Sequence, residues 1–339
     1  MRAWVLGLLV AVLAFHGTAD AEGAVRTITT PAEVSSLVIT PDGQHVVTAC
    51  ADSAIRVWRL SDGELLRTLW GHSGIVRAVA ITPDGQNIVS GSFDNTIKVW
   101  RFSDGKPLRT LVGHTLWVLA VVVSPDGQSI VSAGADNTIK VWRLSDGALL
   151  ASNNWLTTIW SIAITPDGQS VISGDMAGWT AFWNPATVGL SKFFIPHTGN
   201  IYSIEVTQTN RYYVTGSADN TAVISSISGT KLRTLWGHKG VVLDVALTPD
   251  GQRAVTGSAD NTIKVWEIPN GDLLRTLTGH TGNVLSVAVT PDGRTIVSGS
   301  EDHTIRVWQI DPVAVLGSPE PVPLFLSPNT PNPFNSSTT

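Results

Sequence analysis

The chain has 339 residues, of which 43% are hydrophobic and 14% charged, so it can bury a large core and does not belong to the disordered class. Its net charge of −5 argues against a general phosphate-binding surface of the kind that nucleic acids need, because such a surface needs clustered lysine and arginine. Cys50 is the only cysteine, which excludes an internal disulfide, a Cys-x-x-Cys redox pair and a cysteine-based zinc site.

The amino terminus has the three parts of a secretory signal peptide. Arg2 gives a positive start, Ala3 to Phe15 form an apolar run, and Ala19, Asp20 and Ala21 provide the small residues that a signal peptidase requires at −3 and −1. The apolar run is shorter than the ~20 residues needed to cross a bilayer, which argues against a membrane anchor. We predict a signal peptide over residues 1–21, export to the periplasm, cell surface or medium, and no membrane span.

A repeat of about 42 residues fills most of the remaining chain. The phrase Ile-Arg/Lys-Val-Trp, or a variant in the same register, ends at seven positions: Trp58, Trp100, Trp142, Trp183, Ser225, Trp266 and Trp308. The steps between these positions are 42, 42, 41, 42, 41 and 42 residues, which indicates seven copies of one structural unit. The repeated position accounts for six of the chain's 13 tryptophans, a large number beside its 3 tyrosines.

Each copy has the pattern of four short antiparallel strands. In the second copy, β-branched and apolar runs at 76–82, 87–91, 96–102 and 108–111 are separated by Pro-Asp-Gly, Asp-Asn and Ser-Asp-Gly turns. Connections this short permit only an up-and-down meander. A sheet with two apolar faces cannot stand alone, whereas seven sheets stacked around an axis bury both faces. The sequence therefore predicts an all-β, seven-bladed β-propeller over residues 22–311.

The last copy lacks a fourth strand of its own. In other copies this strand reads Leu-Arg-Thr-Leu, as at Leu66–Leu69 and Leu274–Leu277. After Trp308 the pattern is interrupted by Asp311 and Pro312, but a matching segment occurs near the amino terminus at Val25–Ile28. We predict that this segment completes the seventh blade and closes the ring, since the blade would otherwise expose an unpaired edge.

These residues resemble the WD-repeat family over roughly residues 24–311. The shared features are Gly-His before the first strand, Pro-Asp-Gly, Ser-Gly-Ser, the aspartate of the tight turn, and the tryptophan. The resemblance implies a buried network in each complete blade, in which His, Ser or Thr, Asp and Trp satisfy one another's hydrogen bonds. It places four complete networks, at His72, Ser90, Asp94 and Trp100; His114, Ser132, Asp136 and Trp142; His238, Thr256, Asp260 and Trp266; and His280, Ser298, Asp302 and Trp308.

Three copies depart from the family pattern. The first has no Gly-His. The fourth has Trp155 where the histidine belongs and Ala177 where the turn aspartate belongs. The fifth has Gln208 in place of the turn proline and Ser225 in place of the tryptophan. We therefore expect blades 4 and 5 to be the least regular part of the ring.

The recurring Ser, His and Asp also raise the possibilities of a hydrolase triad and of a metal site. A triad occurs once in an enzyme, whereas this set recurs four times in register, and the chain has no Gly-x-Ser-x-Gly elbow. Successive copies lie one to a blade, too far apart to share a zinc ion with ligands at about 2.0–2.2 Å. We predict a non-catalytic protein without a metal or a cofactor.

One face of the propeller is predicted to bind a protein or peptide partner. The loops before each first strand and the turns before each third strand emerge on this face, and their side chains vary from copy to copy. On blades 2 to 5 they include Arg77, Phe93, Trp117, Trp160, Met176 and Tyr202. Exposed aromatic residues with arginine are typical of interface anchors, although each could instead pack between blades. We expect the propeller itself to be monomeric.

The second candidate function is an enzyme or a carbohydrate binder that uses the cavity on the propeller axis. Carboxylates or histidines clustered at the axis would favour it. We predict no such cluster, because the central strands carry Val, Ala, Leu, Ile and Ser.

The carboxyl-terminal segment changes in composition from Asp311 onward. Its seven prolines between 312 and 333 exclude regular structure, and residues 312–326 read as a linker. Residues 327–339 contain Pro-Asn-Pro-Phe-Asn and resemble the opening of the sorting domain of bacterial type IX-secreted proteins. The resemblance implies a bacterial protein bound for the cell surface or medium, with either a vestigial signal or a longer natural chain.

Overall fold

A computed structural model describes residues 24–310, which form seven four-stranded antiparallel sheets around a central axis. The predicted signal peptide, linker and sorting segment lie outside the described residues. Every regular element between residues 24 and 310 is a strand, so this part of the chain contains no helix that could cross a membrane. The predicted seven-bladed, all-β propeller is confirmed.

The strands follow the predicted order within each blade. Blade 1 contains β2 (Val34–Ile39), β3 (His45–Cys50), β4 (Ile55–Arg59) and β5 (Leu65–Leu69); blade 2 contains β6 (Val76–Ile81), β7 (Asn87–Ser92), β8 (Thr96–Arg101) and β9 (Pro107–Val112). Blade 3 contains β10 (Val118–Val123), β11 (Ser129–Gly134), β12 (Thr138–Arg143) and β13 (Leu149–Asn154); blade 4 contains β14 (Ile159–Ile164), β15 (Val171–Asp175), β16 (Thr180–Trp183) and β17 (Leu190–Phe194).

The remaining three blades repeat this arrangement. Blade 5 contains β18 (Ile201–Val206), β19 (Tyr212–Ser217), β20 (Ala222–Ser226) and β21 (Lys231–Leu235); blade 6 contains β22 (Val242–Leu247), β23 (Arg253–Ser258), β24 (Ile263–Glu267) and β25 (Leu273–Leu277). Blade 7 contains β26 (Val284–Val289), β27 (Thr295–Ser300), β28 (Thr304–Gln309) and β1 (Arg26–Thr29). In blade 4, β16 has only four residues, whereas the strands of blade 5 match those of blade 6 in length, so the strand lengths show the expected irregularity in blade 4 and not in blade 5.

In blades 2, 3, 5 and 6 the tight turn between the second and third strands contains an asparagine in the left-handed region. Asn95 has a φ of 67° and Asn137 a φ of 59°, in the left-handed region that asparagine tolerates better than most residues. The aspartate before each of them accepts a hydrogen bond from the backbone two residues on, as Asp94 does from Thr96 at 2.9 Å. The Asp-Asn pair of the sequence therefore fixes a reversal that keeps the strands in register.

The hydrophobic core consists of layers between neighbouring blades. Between blades 1 and 2, for example, Val47 and Ile55 pack with Val76, Ile88 and Trp100. Because each sheet contributes one apolar face to the layer on either side, no blade can bury its core without both of its neighbours. The ring must therefore close.

The first strand of the chain closes the ring as predicted. β1 pairs with β28 in antiparallel register, with Ile28 opposite Ile305. The Val25 N–H donates to the Val307 carbonyl at 2.7 Å, which extends the pairing by one residue. Ile28 is buried against Trp58 of blade 1, so β1 joins blades 7 and 1 through packing as well as hydrogen bonds.

Candidate functional site

We call one side of the disc the loop face; it consists of the loops that precede the first strands and of the turns that precede the third strands. Its segments are 30–33 and 51–54, 70–75 and 93–95, 112–117 and 135–137, 154–158 and 176–179, 195–200 and 218–220, 236–241 and 259–262, and 278–283 and 301–303. The two segments of a blade lie side by side, since the N–H of Phe93 donates to the Ile75 carbonyl and that of Met176 to the Thr158 carbonyl.

The structure brings the four residues of each predicted network within hydrogen-bonding distance. In blade 2, His72 Nδ1 lies 2.7 Å from Asp94 Oδ2 and His72 Nε2 lies 2.8 Å from Ser90 Oγ. The Trp100 indole donates to the same Ser90 hydroxyl at 2.8 Å. The same contacts recur at His114, Ser132, Asp136 and Trp142; at His238, Thr256, Asp260 and Trp266; and at His280, Ser298, Asp302 and Trp308.

The electrostatics of these networks favour a structural role. Burial opposes ionisation of Asp136, but hydrogen bonds from His114, the Thr115 backbone and Thr138 hold its pKa well below the usual range. Burial lowers the pKa of His72 despite its contact with Asp94, which favours a neutral ring. The Ser90 hydroxyl is fully buried and already bonded to a ring nitrogen and to an indole. A substrate could not reach it.

Blades 4 and 5 each lack a residue of the network, and in each blade a side chain at another position or of another type takes its place. In blade 4, the Trp155 indole takes the place of the histidine and donates to Asp175 Oδ2 at 2.7 Å. In blade 5, Ser225 replaces the tryptophan, and the fully buried Tyr213 lies directly across the strand pair from it. Blade 5 thus has its large buried aromatic side chain on the second strand, at Tyr213, and the other blades have theirs on the third strand.

Three of the six predicted partner-binding residues lie on the loop face. The Phe93 and Trp117 rings stack with their centroids 4.4 Å apart and an interplanar angle of 8°. Trp117 is 47% exposed and Met176 is 53% exposed. Gly134 makes the Trp117 position possible, because a Cβ at residue 134 would lie 2.2 Å from the Trp117 carbonyl oxygen. An aromatic stack between blades 2 and 3 therefore presents one indole to solvent.

The other three, Arg77, Trp160 and Tyr202, line a cavity of about 380 Å³ on the propeller axis. Each is the residue at which the pairing of the first and second strands shifts register. A bulge of this kind re-aims a side chain, which simple alternation along the strand does not anticipate. Trp160 and Tyr202 meet edge to face, with ring centroids 5.2 Å apart.

The prediction that the axis carries no carboxylates was wrong. Glu205 of β18 and Asp244 of β22 line the axial cavity together with Arg77. Burial, and secondly the nearby Asp244, raise the pKa of Glu205 to about 8. Burial also raises the pKa of Asp244, although four hydrogen bonds act against this shift.

The sequence contained a signal for both carboxylates. The position of Asp244 holds serine or alanine in the other six copies, and that of Glu205 holds valine or alanine. A charged residue at a repeat position where the other copies have small or apolar residues indicates a candidate functional site.

Sequence reasoning also missed an apolar pocket at the outer edge of blade 4. This pocket, which we call the blade 4 pocket, has a volume of about 470 Å³ and is lined by Asn153, Asn154, Trp155, Leu156, Trp179, Trp183, Leu190 and Phe193. The Trp179 and Phe193 rings stack at 5.1 Å. Trp155 stands where other blades have the histidine of the network, so the departure from the repeat itself was the signal.

Comparison with known proteins supports the resemblance seen in the repeats. A search of curated proteins found no match. The family model for "WD domain, G-beta repeat" matches residues 23–59, 63–101, 105–143, 189–224, 229–267 and 271–309, which together make up more than half of the chain. Most of blade 4 falls in the gap between the third and fourth matched segments. The chain belongs to the WD-repeat family.

Proposed function

We propose that this protein is an interaction scaffold that binds a protein or peptide partner on its loop face, centred on blades 2 to 4. The observation that carries the proposal is the Phe93–Trp117 stack, which leaves Trp117 about half exposed on a face without a catalytic constellation of its own. Tryptophan in such a position is the residue type most often found at binding hot spots.

The surroundings of Trp117 support this assignment. Leu116 and Met176 are exposed on the same face, and the blade 4 pocket continues the apolar surface outward. Arg77, Trp160 and Tyr202 lie deeper, around the axial cavity, and would contact only a partner that reaches into its mouth. Family membership points the same way, because WD-repeat propellers commonly act as platforms for other proteins.

The direct test is affinity capture from the native organism, followed by binding measurements with the partner that is captured. We expect Trp117→Ala to weaken binding by about 2 kcal/mol, roughly 30-fold, while the thermal midpoint stays unchanged. Trp236→Ala is the matched control, since Trp236 is 74% exposed on the loop face but in the segment that precedes blade 6, away from blades 2 to 4, and should leave affinity unchanged. Equal losses in the two variants would count against the anchor role of Trp117.

We also propose that the scaffold works outside the cytoplasm. The support is the amino-terminal sequence and the type IX-like tail, both beyond the described residues. Mass spectrometry of the protein from its native host should find a mature chain that begins at Glu22. Recovery of an intact Met1 in the cytoplasmic fraction would refute export.

A further inference from the structure

The axial cavity contains charged groups of both signs within otherwise apolar and serine-lined walls. First strands from all seven blades contribute to it. Among its lining residues, the titratable side chains are Arg77, Tyr202, Glu205 and Asp244. Scaffolding does not require charges here, since the equivalent positions in the other blades are mostly small or apolar.

Arg77 has unused capacity to bind an anion. Its guanidinium donates to the Ser35 carbonyl at 3.3 Å, and the charge of Asp244 acts on it without a direct ion pair among residues 24–310. Burial lowers the pKa of Arg77, and Asp244 offsets only part of this cost of holding the charge away from water. A carboxylate in the cavity would lower that cost and could be bound in a bidentate manner.

The carboxylates of blades 5 and 6 form the complementary group. Asp244 Oδ1 accepts from Ser203 Oγ at 2.6 Å and from its neighbour's N–H, that of Val245, at 2.9 Å. Its Oδ2 accepts from Ser286 Oγ and from the Val287 N–H, both at 2.8 Å. Asp244 is thus fixed in place across three blades, and the carboxyl group of Glu205 lies near enough to feel its charge.

We propose that the axial cavity binds a small zwitterion of the amino-acid type, with the ligand carboxylate at Arg77 and the ligand ammonium at Glu205 and Asp244. A volume of about 380 Å³ is that of roughly a dozen waters at ~30 Å³ each, enough for such a molecule. The edge-to-face pair of Trp160 and Tyr202 supplies an apolar wall for its carbon chain. This site is separate from the loop-face partner, and neither proposal depends on the other.

Binding should be linked to release of a proton. Glu205 has a pKa of about 8, so near pH 7 it is mostly protonated in the empty cavity. An arriving ammonium favours the ionised carboxylate, and the proton leaves for solvent. Affinity should therefore rise with pH up to the pKa of Glu205, and proton release should diminish above that pKa, where Glu205 is already ionised.

The test is calorimetry of the full chain with a ladder of ω-amino acids from glycine to 6-aminohexanoate. Hexanoate and hexylamine, which carry one charge each, are the monofunctional controls. We expect at least one member of the ladder to bind about tenfold or more tightly than either control, with proton release near pH 7 shown by the buffer dependence of the heat. Absence of millimolar binding by every member, or equal binding of the controls, would overturn the proposal.

Two substitutions separate this site from an unspecific cavity. Arg77→Gln and Glu205→Gln should each weaken the best probe by about tenfold or more, and Glu205→Gln should also abolish proton release. Arg211→Gln and Glu33→Gln, at exposed positions outside the cavity, are the matched controls and should bind as the wild type does. Unaltered binding in both cavity variants would refute the site. If either variant fails to fold, the wild-type chain still tests the site, because binding of the best probe without proton release near pH 7 would refute the role of Glu205.

Discussion

Removal of residues 24–30 should open the propeller and cause the chain to aggregate. The deletion takes away β1, leaving one edge of β28 without a partner, and it removes Ile28 from the layer between blades 7 and 1. An unpaired strand edge beside uncovered apolar residues is a template for association between chains. Size-exclusion chromatography with light scattering should show loss of the monomer.

A pair of point variants tests the same closure without shortening the chain. Along β1, Ile28 is buried whereas its neighbour Thr27 is exposed. Ile28→Asp buries a charge and should cost roughly 3 kcal/mol or more of unfolding free energy, whereas Thr27→Asp should cost less than about 1 kcal/mol. A deletion variant that stays monomeric and as stable as the parent chain would show that the ring closes in another way.

Trp266→Ala should destabilise the propeller by about 3–5 kcal/mol. Trp266 is 1% exposed, and its indole donates to the Thr256 hydroxyl at 2.9 Å. The substitution leaves a large cavity in the layer between blades 5 and 6 and removes one hydrogen-bond donor from a buried hydroxyl. Chemical denaturation at neutral pH measures the loss directly.

The control for this experiment is Trp236→Ala, which removes the same side chain from the surface. Since the solvent already covers most of Trp236, the change in unfolding free energy should stay within about 0.5 kcal/mol. The denaturant dependence of the two variants should match that of the wild type. An unaltered midpoint for Trp266→Ala would mean that the networks do not hold the blades together.

The fold could be predicted in detail because its determinants are local and repeated seven times. A constant step between tryptophans, short turns and alternating strands leave few ways to bury the sheets. The closing strand was predictable as well, because Val25–Ile28 has the pattern that the last copy lacks. In blade 5 the expected irregularity is absent from the strand lengths, since Tyr213 compensates for the missing tryptophan from an adjacent strand.

The candidate sites were less predictable because they depend on where single side chains point. Trp117 and Arg77 both lie near the start of a first strand, yet one is exposed on the loop face and the other lines the axis. Arg77 is the residue at which the strand pairing of blade 2 shifts register, whereas in blade 3 that position belongs to Leu119, two residues after Trp117. The Phe93–Trp117 stack joins two blades, a contact that no pattern within a single copy can reveal.

Hydrogen exchange of the chain with and without its captured partner locates the surface that the partner covers. If the partner binds on the loop face, amide exchange should slow in the segments 112–118 and 176–179, around Trp117 and Met176. Exchange in the Pro-Asp-Gly turns at 83–86 and 125–128, at the opposite end of the first strands, should not change. Protection confined to those opposite turns would show that the partner does not bind on the loop face.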